Sequence, residues 1–414
     1  HGFARDLTDA GARAVSAGLD LEMAILDPAY AHLPEAVAAG TASEADIDAC
    51  VRRILRAKLR LGLFESPYVD EARAAEVLAD PAHRDAARAS AVRTAVLLKN
   101  DPVDGTPLLP LASGVKRVAV VGPLADSPRD TLGPWVFDFD LAETVTLLDG
   151  LKARAGDGVE VAYAPGIRPV QRRFASMFDM WPGNSPVDPE GFDDAAELAR
   201  AAEVAAASDV AIVVLGEWQN MIGEAASRST LDLPGDQLAL LDAVAATGTP
   251  VVVLLMNGRP LDLQPVVAHA PAVLDVWYPG SQGGHAVASL VFGDESPAGR
   301  LPFTWPRTAG QIPLIYSHTT SFEPENQWRR YWDIESTPLF PFGHGLSYAS
   351  FDYSPVTLSR ASMAAGESLT ASVTVTNTGS RDADEVVQCY VHQCYGTAAR
   401  PVREEIRLIH QQAD

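Results

Sequence analysis

The chain has 414 residues, of which 47% are hydrophobic, and a formal net charge of −22 at pH 7. This length predicts about two or three domains, each long enough to bury its own core. The negative charge argues against nucleic acid and anionic membranes as partners, because their phosphates would be repelled, and it favours a neutral or cationic ligand. No apolar run approaches the roughly 20 residues of a membrane-spanning helix. We interpret Cys50, Cys389 and Cys394 as structural, since they lack the paired spacing of a zinc site and are too few for a disulfide framework.

Residues 1–63 have the pattern expected at the end of a larger α/β unit. A helix is predicted over 4–16 and a short strand over 19–23, followed by further helices. Ser43 and Asp46 form a capping box ahead of apolar residues at helical spacing. One strand with its flanking helices cannot close a sheet. We therefore expect the missing strands to lie upstream, as in a barrel of repeating βα units.

After a linker predicted over residues 64–90, the segment 91–306 alternates short apolar runs with Ala- and Leu-rich helical stretches. This pattern predicts an open, mostly parallel sheet that helices cover on both faces. An insert at 167–189, rich in Pro and aromatic residues, is interpreted either as a packing flap or as a wall of a binding cleft. The predicted strands are 95–98, 118–121, 159–163, 210–215, 251–256 and 273–277, and the predicted helices include 193–207 and 234–246.

The last part of the chain changes its hydrophobic period. Residues 307–350 are predicted to connect two domains, and residues 351–414 are predicted to form an all-β module. Apolar and polar side chains alternate over 369–376, and a turn at 377–381 precedes a second strand at 386–391. The module has only about 60 residues, against roughly 100 in an immunoglobulin-like sandwich, so we expect it to be cut short.

The loop between residues 216 and 234 carries the richest chemistry in the chain. It follows a buried strand and precedes a helix, which is where open α/β sheets bind ligands. Glu224 comes directly after Gly223, a residue type that permits an unusual turn and can aim the next side chain into a cleft. A carboxylic acid in such a place fits the proton donor of glycosidic bond cleavage, which commonly works with a second carboxylate. The residue types alone also allow a solvated loop acid, or one paired with Arg228.

Other features of the middle segment admit more than one interpretation. Glu217 is interpreted as a supporting acid at the end of a strand. The indole of Trp218 is suited to stack on a sugar face, although an indole in this position is more often half-buried core. The turn at 280–284 lacks the Lys-Ser/Thr of a P-loop and the glycine spacing of a dinucleotide site, so a nucleotide-binding protein is a weaker interpretation.

Several segments match the motifs of one enzyme family in the family's own order. They include AGLDLEM at 17–23, AVLLKN at 95–100, residues 118–126, MNGRP at 256–260, residues 278–284 and 293–302, PLFPFGHGLSY at 338–348 and VTVTNTG at 373–379. These segments resemble glycoside hydrolase family 3, in particular its bacterial three-domain β-glucosidases. The resemblance implies the end of a (β/α)8 barrel, an open α/β sandwich domain and a truncated fibronectin-III-like β-sandwich. After Arg403 the chain departs from the Leu-x-Gly-Phe that usually follows in the family.

The resemblance also implies roles for individual residues. Glu224, in Gly-Glu-Ala-Ala-Ser-Arg, matches the general acid/base that the sandwich domain supplies to a sugar held at the barrel. The family's nucleophile is an aspartate on the seventh barrel strand, and the first residues of this chain resemble those just after it, so we expect that aspartate upstream. The residues predicted to contact substrate are His1, Trp218, Met221 and Arg228.

The sequence therefore predicts the C-terminal portion of a retaining, exo-acting β-glucosidase that acts on β-linked glucosides or cello-oligosaccharides. Because its nucleophile and most of the barrel would lie elsewhere, this portion is expected to be inactive alone. The alternatives are a β-xylosidase of the same family and a non-catalytic carbohydrate-binding or scaffolding fragment. No metal or organic cofactor is expected. The resemblance implies a periplasmic or secreted protein and allows a homodimer.

Overall fold

The computed structural model describes residues 2–24, 26–136, 139–172, 174, 179, 187–317, 331–392 and 403–407. The chain divides into two compact units, His1–Asp80 and Pro81–Asp414. None of the helices in these described ranges combines the length and the apolar character that crossing a bilayer requires.

The first unit is helical where it is described. Its helices are α1 (Leu7–Ser16), α2 (Leu33–Ala38), α3 (Glu44–Arg60) and α4 (Glu71–Leu78), with a 3-10 turn at Ala29–His32. Helices α1, α2 and α3 pack around a small core that contains Ala12, Val15, Leu33, Ala36 and Cys50, whereas α4 has no buried residue. The start of α3 is as predicted, because the Ser43 hydroxyl accepts a hydrogen bond from the Asp46 N–H at 3.1 Å.

The strand predicted at 19–23 is wrong, since these residues belong to no strand. The Leu19 N–H donates instead to the Ala14 carbonyl at the end of α1, at 3.0 Å. The Leu19 carbonyl accepts from the Tyr30 hydroxyl and the Cys50 thiol. A strand needs a neighbouring strand to satisfy its backbone groups, and the described residues of this unit provide none. That the unit ends a barrel stays a prediction.

The second unit is built from a sheet and its covering helices. Its first strands are β1 (Val96–Asn100), β2 (Pro102–Val103), β3 (Thr106–Pro107), β4 (Arg117–Val121), β5 (Glu160–Ala164), β6 (Val210–Gly216), β7 (Val251–Met256) and β8 (Ala272–Asp275). Its helices are α5 (Pro81–Thr94), α6 (Pro128–Leu132), α7 (Leu147–Ala155), α8 (Asp194–Ala206), α9 (Gln237–Ala245), α10 (Gln264–His269) and α11 (Gly283–Phe292). Short 3-10 turns lie at Pro123–Asp126, Leu141–Glu143, Gly156–Gly158, Gln219–Met221 and Ala309–Gln311.

The main sheet has six strands in the order β1-β8-β7-β6-β4-β5. Neighbouring strands run parallel except β1 and β8, which are antiparallel. The predicted mixed α/β fold with a mostly parallel central sheet is thus confirmed, and β2 with β3 forms a separate small hairpin. Parallel order brings the carboxyl ends of β4, β6 and β7 to one edge of the sheet, from which the 216–234 loop departs.

Every residue of β6 and β7 is buried, as expected for central strands that are covered on both faces. Alternate side chains of β6 enter two different cores because successive residues of a strand point to opposite faces. Ile212 and Val214 pack into the core that contains residues of α7 and α11. Val213 and Leu215 pack into the core that contains residues of α8 and α9.

The stretch predicted as a linker, residues 64–90, is instead largely helical. It contains all of α4 and most of α5, and the compact second unit begins at Pro81. Ala91 and Val92, at the end of α5, are buried in the same core as α11. The end of α5 is therefore packed into the core of the second unit and is not part of a flexible linker.

The β-rich end of the chain consists of short antiparallel pairs. Its strands are β9 (Phe351–Tyr353), β10 (Thr357–Leu358), β11 (Ala371–Ser372), β12 (Val375–Asn377), β13 (Gln388–His392) and β14 (Arg403–Arg407). They pair as β9 with β12, β10 with β11, and β13 with β14. An ion pair between Arg300 and Glu385, at 2.7 Å, links this region to the segment after α11. Its identity as a fibronectin-III-like module stays a prediction.

Candidate active site

The 216–234 loop leaves the sheet at the carboxyl end of β6. Gly216 has a φ of +139°, and a Cβ at this position would lie 1.7 Å from the Met256 carbonyl oxygen of β7, so only glycine fits. The buried side chain of Gln237 ties the two ends of the loop together. Its Oε1 accepts from the Gly216 N–H at 2.7 Å, and its Nε2 donates to the carbonyls of Gly216 and Pro234 at 2.7 and 2.8 Å. One amide therefore fixes where the loop leaves and rejoins the fold.

Glu217, the first acid of the loop, has a fully buried side chain with 0% exposure. Its carboxylate forms ion pairs with Arg228 at 3.0 Å and with Arg259 at 3.1 Å. Its N–H donates to the Met256 carbonyl and its carbonyl accepts from the Tyr278 hydroxyl. Burial, and secondarily the charge of Glu217, raises the pKa of Tyr278 well above its ordinary value. Both carboxylate oxygens are engaged, so Glu217 is placed to support the loop rather than to exchange protons with a ligand.

Arg259 is the residue that the sequence analysis missed most clearly. Its Nε pairs with Glu217, and its Nη2 donates to the carbonyls of Met221 at 2.6 Å and Ala226 at 2.9 Å. It comes just after β7, in the MNGRP motif that contributed to the family resemblance. That motif was a signal, but only the fold shows that this arginine reaches a loop about 40 residues earlier in the chain.

Glu224, the second acid, lies on the outside of the loop. It is exposed, and it sits between Gly223 with a φ of +92° and Ala225 with a φ of +57°. Left-handed backbone on both sides is uncommon for non-glycine residues and sharply turns the chain. The two glutamates of the loop therefore differ completely: Glu217 is buried and doubly paired, whereas Glu224 is presented to solvent at the tip of a turn.

An indole flanks this turn. A Cβ at Gly223 would lie 3.3 Å from Nε1 of Trp135, so the Trp135 ring packs directly against the residue before Glu224. The Trp135 side chain is 53% exposed and its φ is +66°. Sequence reasoning did not single out Trp135, since it lies about 90 residues before the loop.

The segment that carries Trp135 is tied to the loop through a buried acid. The Asp130 carboxylate, on α6, accepts the Gln219 N–H at 2.8 Å and the Ser127 hydroxyl at 2.5 Å. Burial raises the pKa of Asp130, and these two hydrogen bonds oppose that rise. The contact holds the beginning of the 216–234 loop against the helix that leads to the indole.

The residues predicted to contact substrate occupy different environments. Trp218 is 2% exposed and Met221 is 9% exposed, and both pack into the core beneath the loop. The indole of Trp218 thus has no free face for the predicted stacking on a sugar, because the strand end turns it inward. Arg228 pairs with Glu217 and with the Asp232 carbonyl instead of with Glu224. His1 lies outside the described residues.

The side chains gathered around the loop are carboxylates, arginines and an indole. Across the described ranges, no group of three His, Cys, Asp or Glu side chains is placed to hold a metal ion. The tip of the loop presents the exposed carboxylic acid of Glu224 beside the exposed Trp135 indole, and a buried network of charges fixes the backbone around them.

Comparison with known proteins gives the family context of this arrangement. The profile of the glycosyl hydrolase family 3 C-terminal domain matches residues 95–348. A periplasmic β-glucosidase of Salmonella typhimurium is 39% identical over 98% of this chain and 53% of its own length. A β-xylosidase of Formosa agariphila is 35% identical over 97% of this chain and 53% of its own length.

Solved structures agree with these sequence relatives. The β-glucosidase of Listeria innocua in complex with isofagomine superposes with a TM-score of 0.80 at 33% identity, covering 99% of this chain and 54% of that one. The chain thus spans about half the length of the relatives that it matches. With a family profile that covers most of the chain and relatives that align over nearly all of it, the chain belongs to glycosyl hydrolase family 3.

Proposed function

We propose that this chain is the C-terminal portion of a retaining, exo-acting β-glucosidase in which Glu224 is the general acid/base. The observation that carries the proposal is the contrast between the two glutamates of the 216–234 loop. Glu217 is fully buried and paired with two arginines, whereas Glu224 is exposed on a sharply turned tip at the carboxyl edge of the sheet. Membership of glycosyl hydrolase family 3 and the named activities of the relatives support the reaction class.

In the proposed reaction, an aspartate of the barrel, outside residues 1–414, attacks the anomeric carbon of the sugar. The bond from that carbon to the glycosidic oxygen breaks, and Glu224 gives its proton to the leaving oxygen. In the second step Glu224, now a carboxylate, takes a proton from water as the water oxygen attacks the same carbon and releases the aspartate. Retention by this route requires the two carboxyl groups to lie roughly 5 to 5.5 Å apart.

In this proposal the leaving group of the substrate would pack against the indole of Trp135. Trp135 is half exposed and packs against Gly223, so its indole lies next to the acid that would protonate the leaving oxygen. Aromatic faces pack well against the apolar faces of sugar rings. We propose that Trp135, rather than the buried Trp218, contacts the leaving group of a β-glucoside. Arg228 and Met221 would contribute from beneath the loop, through the ion pair with Glu217 and through core packing.

The substrate, the location and the outer domains follow the relatives. A β-glucoside fits the periplasmic β-glucosidase and the Listeria enzyme, and the relative named as a β-xylosidase supports a β-xyloside as the second candidate. The same periplasmic relative supports a periplasmic or secreted location. We further propose that residues 1–63 end a barrel, that residues 351–414 belong to a fibronectin-III-like module, and that no cofactor is needed.

Hydrolysis of aryl β-glucosides by the full-length product of the gene tests the role of Glu224. The Glu224→Ala variant should lose about 10²- to 10⁴-fold in kcat/KM for a poor leaving group and much less for a good one, because only the poor one needs a proton. Glu190→Ala, which removes an exposed acid of the same unit, should behave as the wild type. Equal losses for both leaving groups would contradict the assignment. Aryl β-xylosides in the same assay decide between the two substrate classes.

A further inference from the structure

The guanidinium group of Arg259 bridges the two sides of the turn that carries Glu224. Nη2 of Arg259 donates to the Met221 carbonyl at 2.6 Å and to the Ala226 carbonyl at 2.9 Å. Met221 precedes Glu224 and Ala226 follows it. This one nitrogen therefore joins the two stems of the turn, which are the segments on either side of Glu224.

The guanidinium is itself held from the opposite side. Its Nε lies 3.1 Å from one oxygen of Glu217 and 3.2 Å from the other. Glu217 is anchored in turn, because its N–H donates to the Met256 carbonyl at the end of β7 at 2.8 Å. A continuous chain of bonds therefore runs from the rigid edge of the sheet to the turn around Glu224, and the bonds that Arg259 makes in it are charge-assisted. Bonds of this kind are shorter and stronger than neutral ones.

A second arginine repeats the pattern from outside. Arg172 donates to the Asn220 carbonyl at 2.5 Å and contacts the Ala225 carbonyl at 3.5 Å. Asn220 and Ala225 again lie on either side of Glu224. The longer contact makes Arg172 the weaker of the two bridges, and among the described residues no buried carboxylate pairs with it.

We propose that Arg259 is a positioning residue for Glu224, and that its role is to lock the two stems of the turn so that the carboxylate is held in one place. The inference rests on the proposed acid/base function of Glu224. Arg259 touches the backbone of the loop rather than the reacting atoms, so it acts only through the acid that it positions. Displacing a catalytic group by about 1 Å is enough to cost about 10²-fold in rate.

Lysine cannot replace this arginine. The planar guanidinium uses Nε for Glu217 and Nη2 for the two carbonyls in one fixed geometry, whereas an ammonium group offers a single point of donation. Arg259→Lys keeps the positive charge beside Glu217 and removes the bridge. It therefore separates the proposed positioning role from a simple need for charge in the network.

The test uses the full-length protein and two readouts. Arg259→Lys should raise the hydrogen-exchange rates of amides 219–226 at least about tenfold and leave β6 and β7 protected. It should also lower kcat about 10- to 100-fold for an aryl β-glucoside with a poor leaving group, with little change in KM. Glu217→Gln, which keeps the shape and removes the charge that orients Arg259, should produce a smaller loosening of the same amides.

Arg300→Lys is the matched control. Arg300 also donates to two backbone carbonyls, those of Ala298 and Gly299, each at 3.0 Å, and it pairs with Glu385 at 2.7 Å. It lies in a different part of the second unit, and its hydrogen bonds and ion pair within the described ranges do not involve the 216–234 loop. This substitution should leave both the exchange of amides 219–226 and kcat unchanged.

The two readouts separate the inference from the function on which it rests. Faster exchange together with a loss confined to poor leaving groups supports both. Faster exchange in a protein whose Glu224→Ala variant shows no leaving-group dependence supports the bridge and overturns the acid/base assignment. Unchanged exchange at 219–226 in both Arg259→Lys and Glu217→Gln overturns the positioning role of Arg259, whatever Glu224 does.

Discussion

The central sheet and the 216–234 loop both depend on buried residues, but different forces hold them. Strands β6 and β7 consist of buried apolar side chains that enter two cores. The loop is held by a buried carboxylate, Glu217, two arginines that pair with it, and the amide of Gln237. Apolar packing is non-directional and grows with area, whereas hydrogen bonds and ion pairs fix atoms at particular positions.

This difference has a functional consequence. A sheet can tolerate side chains of similar size, because its stability depends mainly on the volume that they fill. The loop cannot, since removing a partner of the buried Glu217 or Gln237 side chain leaves a buried polar group unpaired. We therefore expect substitutions in the sheet to cost mainly stability, and substitutions in the loop network to cost activity at least as much as stability.

The largest loss of stability is expected in the sheet. Leu254 in β7 is 0% exposed, so Leu254→Ala should lower the free energy of unfolding by about 2 to 5 kcal/mol through lost burial and the cavity left behind. Urea denaturation measures this change. Leu358→Ala, at a position that is 53% exposed, should shift it by less than about 0.5 kcal/mol. A small loss at Leu254 would mean that apolar packing does not dominate the sheet.

Loss of the Gln237 hydrogen bonds, which join the two ends of the 216–234 loop, should lower the free energy of unfolding by less than Leu254→Ala does. Gln237→Leu would leave the Gly216 N–H and the Gly216 and Pro234 carbonyls unpaired, which we expect to lower the free energy of unfolding by about 1 to 3 kcal/mol. Gln264→Leu is the control, because the half-buried Gln264 side chain makes contacts of only 3.3 and 3.5 Å. Equal losses in the two variants would remove Gln237 from the account.

Two glycines separate backbone strain from contact with the site. Gly223 and Gly248 have φ values of +92° and +81°, but a Cβ would lie 3.3 Å from the Trp135 indole at Gly223 and meet nothing within 4 Å at Gly248. Each change to alanine should cost about 1 kcal/mol of stability from the left-handed backbone. Only Gly223→Ala should reduce the turnover of the full-length protein, because only there is the indole displaced. Equal turnover in the two variants would contradict a role for this contact.

The smallest effect is a pH dependence outside the loop. Burial lowers the pKa of His344, the hydrogen bond between its Nε2 and the Leu98 carbonyl at 2.8 Å opposes this shift, and the positive charge of Arg300 adds to it, so the pKa lies below its ordinary value. Just below the ordinary histidine pKa of about 6.5 the unfolded chain therefore binds more protons than the folded one, so stability should fall as pH drops through this range and recover above it.

His344→Gln retains a donor toward Leu98 and removes the titration. The difference in Tm between about pH 7.5 and pH 5.5 should then shrink by a few degrees relative to the wild type. Thermal denaturation at the two pH values measures it. An unchanged difference would assign the pH dependence of stability to other groups.

The two regions also differ in how far the sequence predicts them. The strands of the main sheet were found within about two residues, because long runs of Val, Ile and Leu between Ala-rich helices are typical of buried parallel strands. The position of Glu224 on a strand-end loop was equally accessible, since Gly223 and the preceding strand mark it. Its role is still a prediction.

The sequence did not predict which residues contact one another across the fold. Arg228 was a candidate partner for Glu224, but in the structure it forms an ion pair with Glu217. Arg259, which follows the next strand, pairs with the same carboxylate. The indole of Trp218 turned inward, and the strand at 19–23 did not form, because each outcome depends on what the rest of the fold places beside it. Local patterns predict elements well, and they do not predict which distant charge completes a buried pair.

The central claim is that Glu224, and not Glu217, exchanges protons with the substrate. Sodium azide tests it directly in the full-length protein, because azide is an anionic nucleophile that attacks the glycosyl-enzyme and releases the aspartate without a general base to deprotonate it, whereas water needs one. With an aryl β-glucoside that has a good leaving group, azide should raise the turnover of Glu224→Ala and give a β-glucosyl azide, and it should have no such effect on Glu217→Gln. Turnover of Glu224→Ala that does not respond to azide, or azide rescue of Glu217→Gln, would contradict the account.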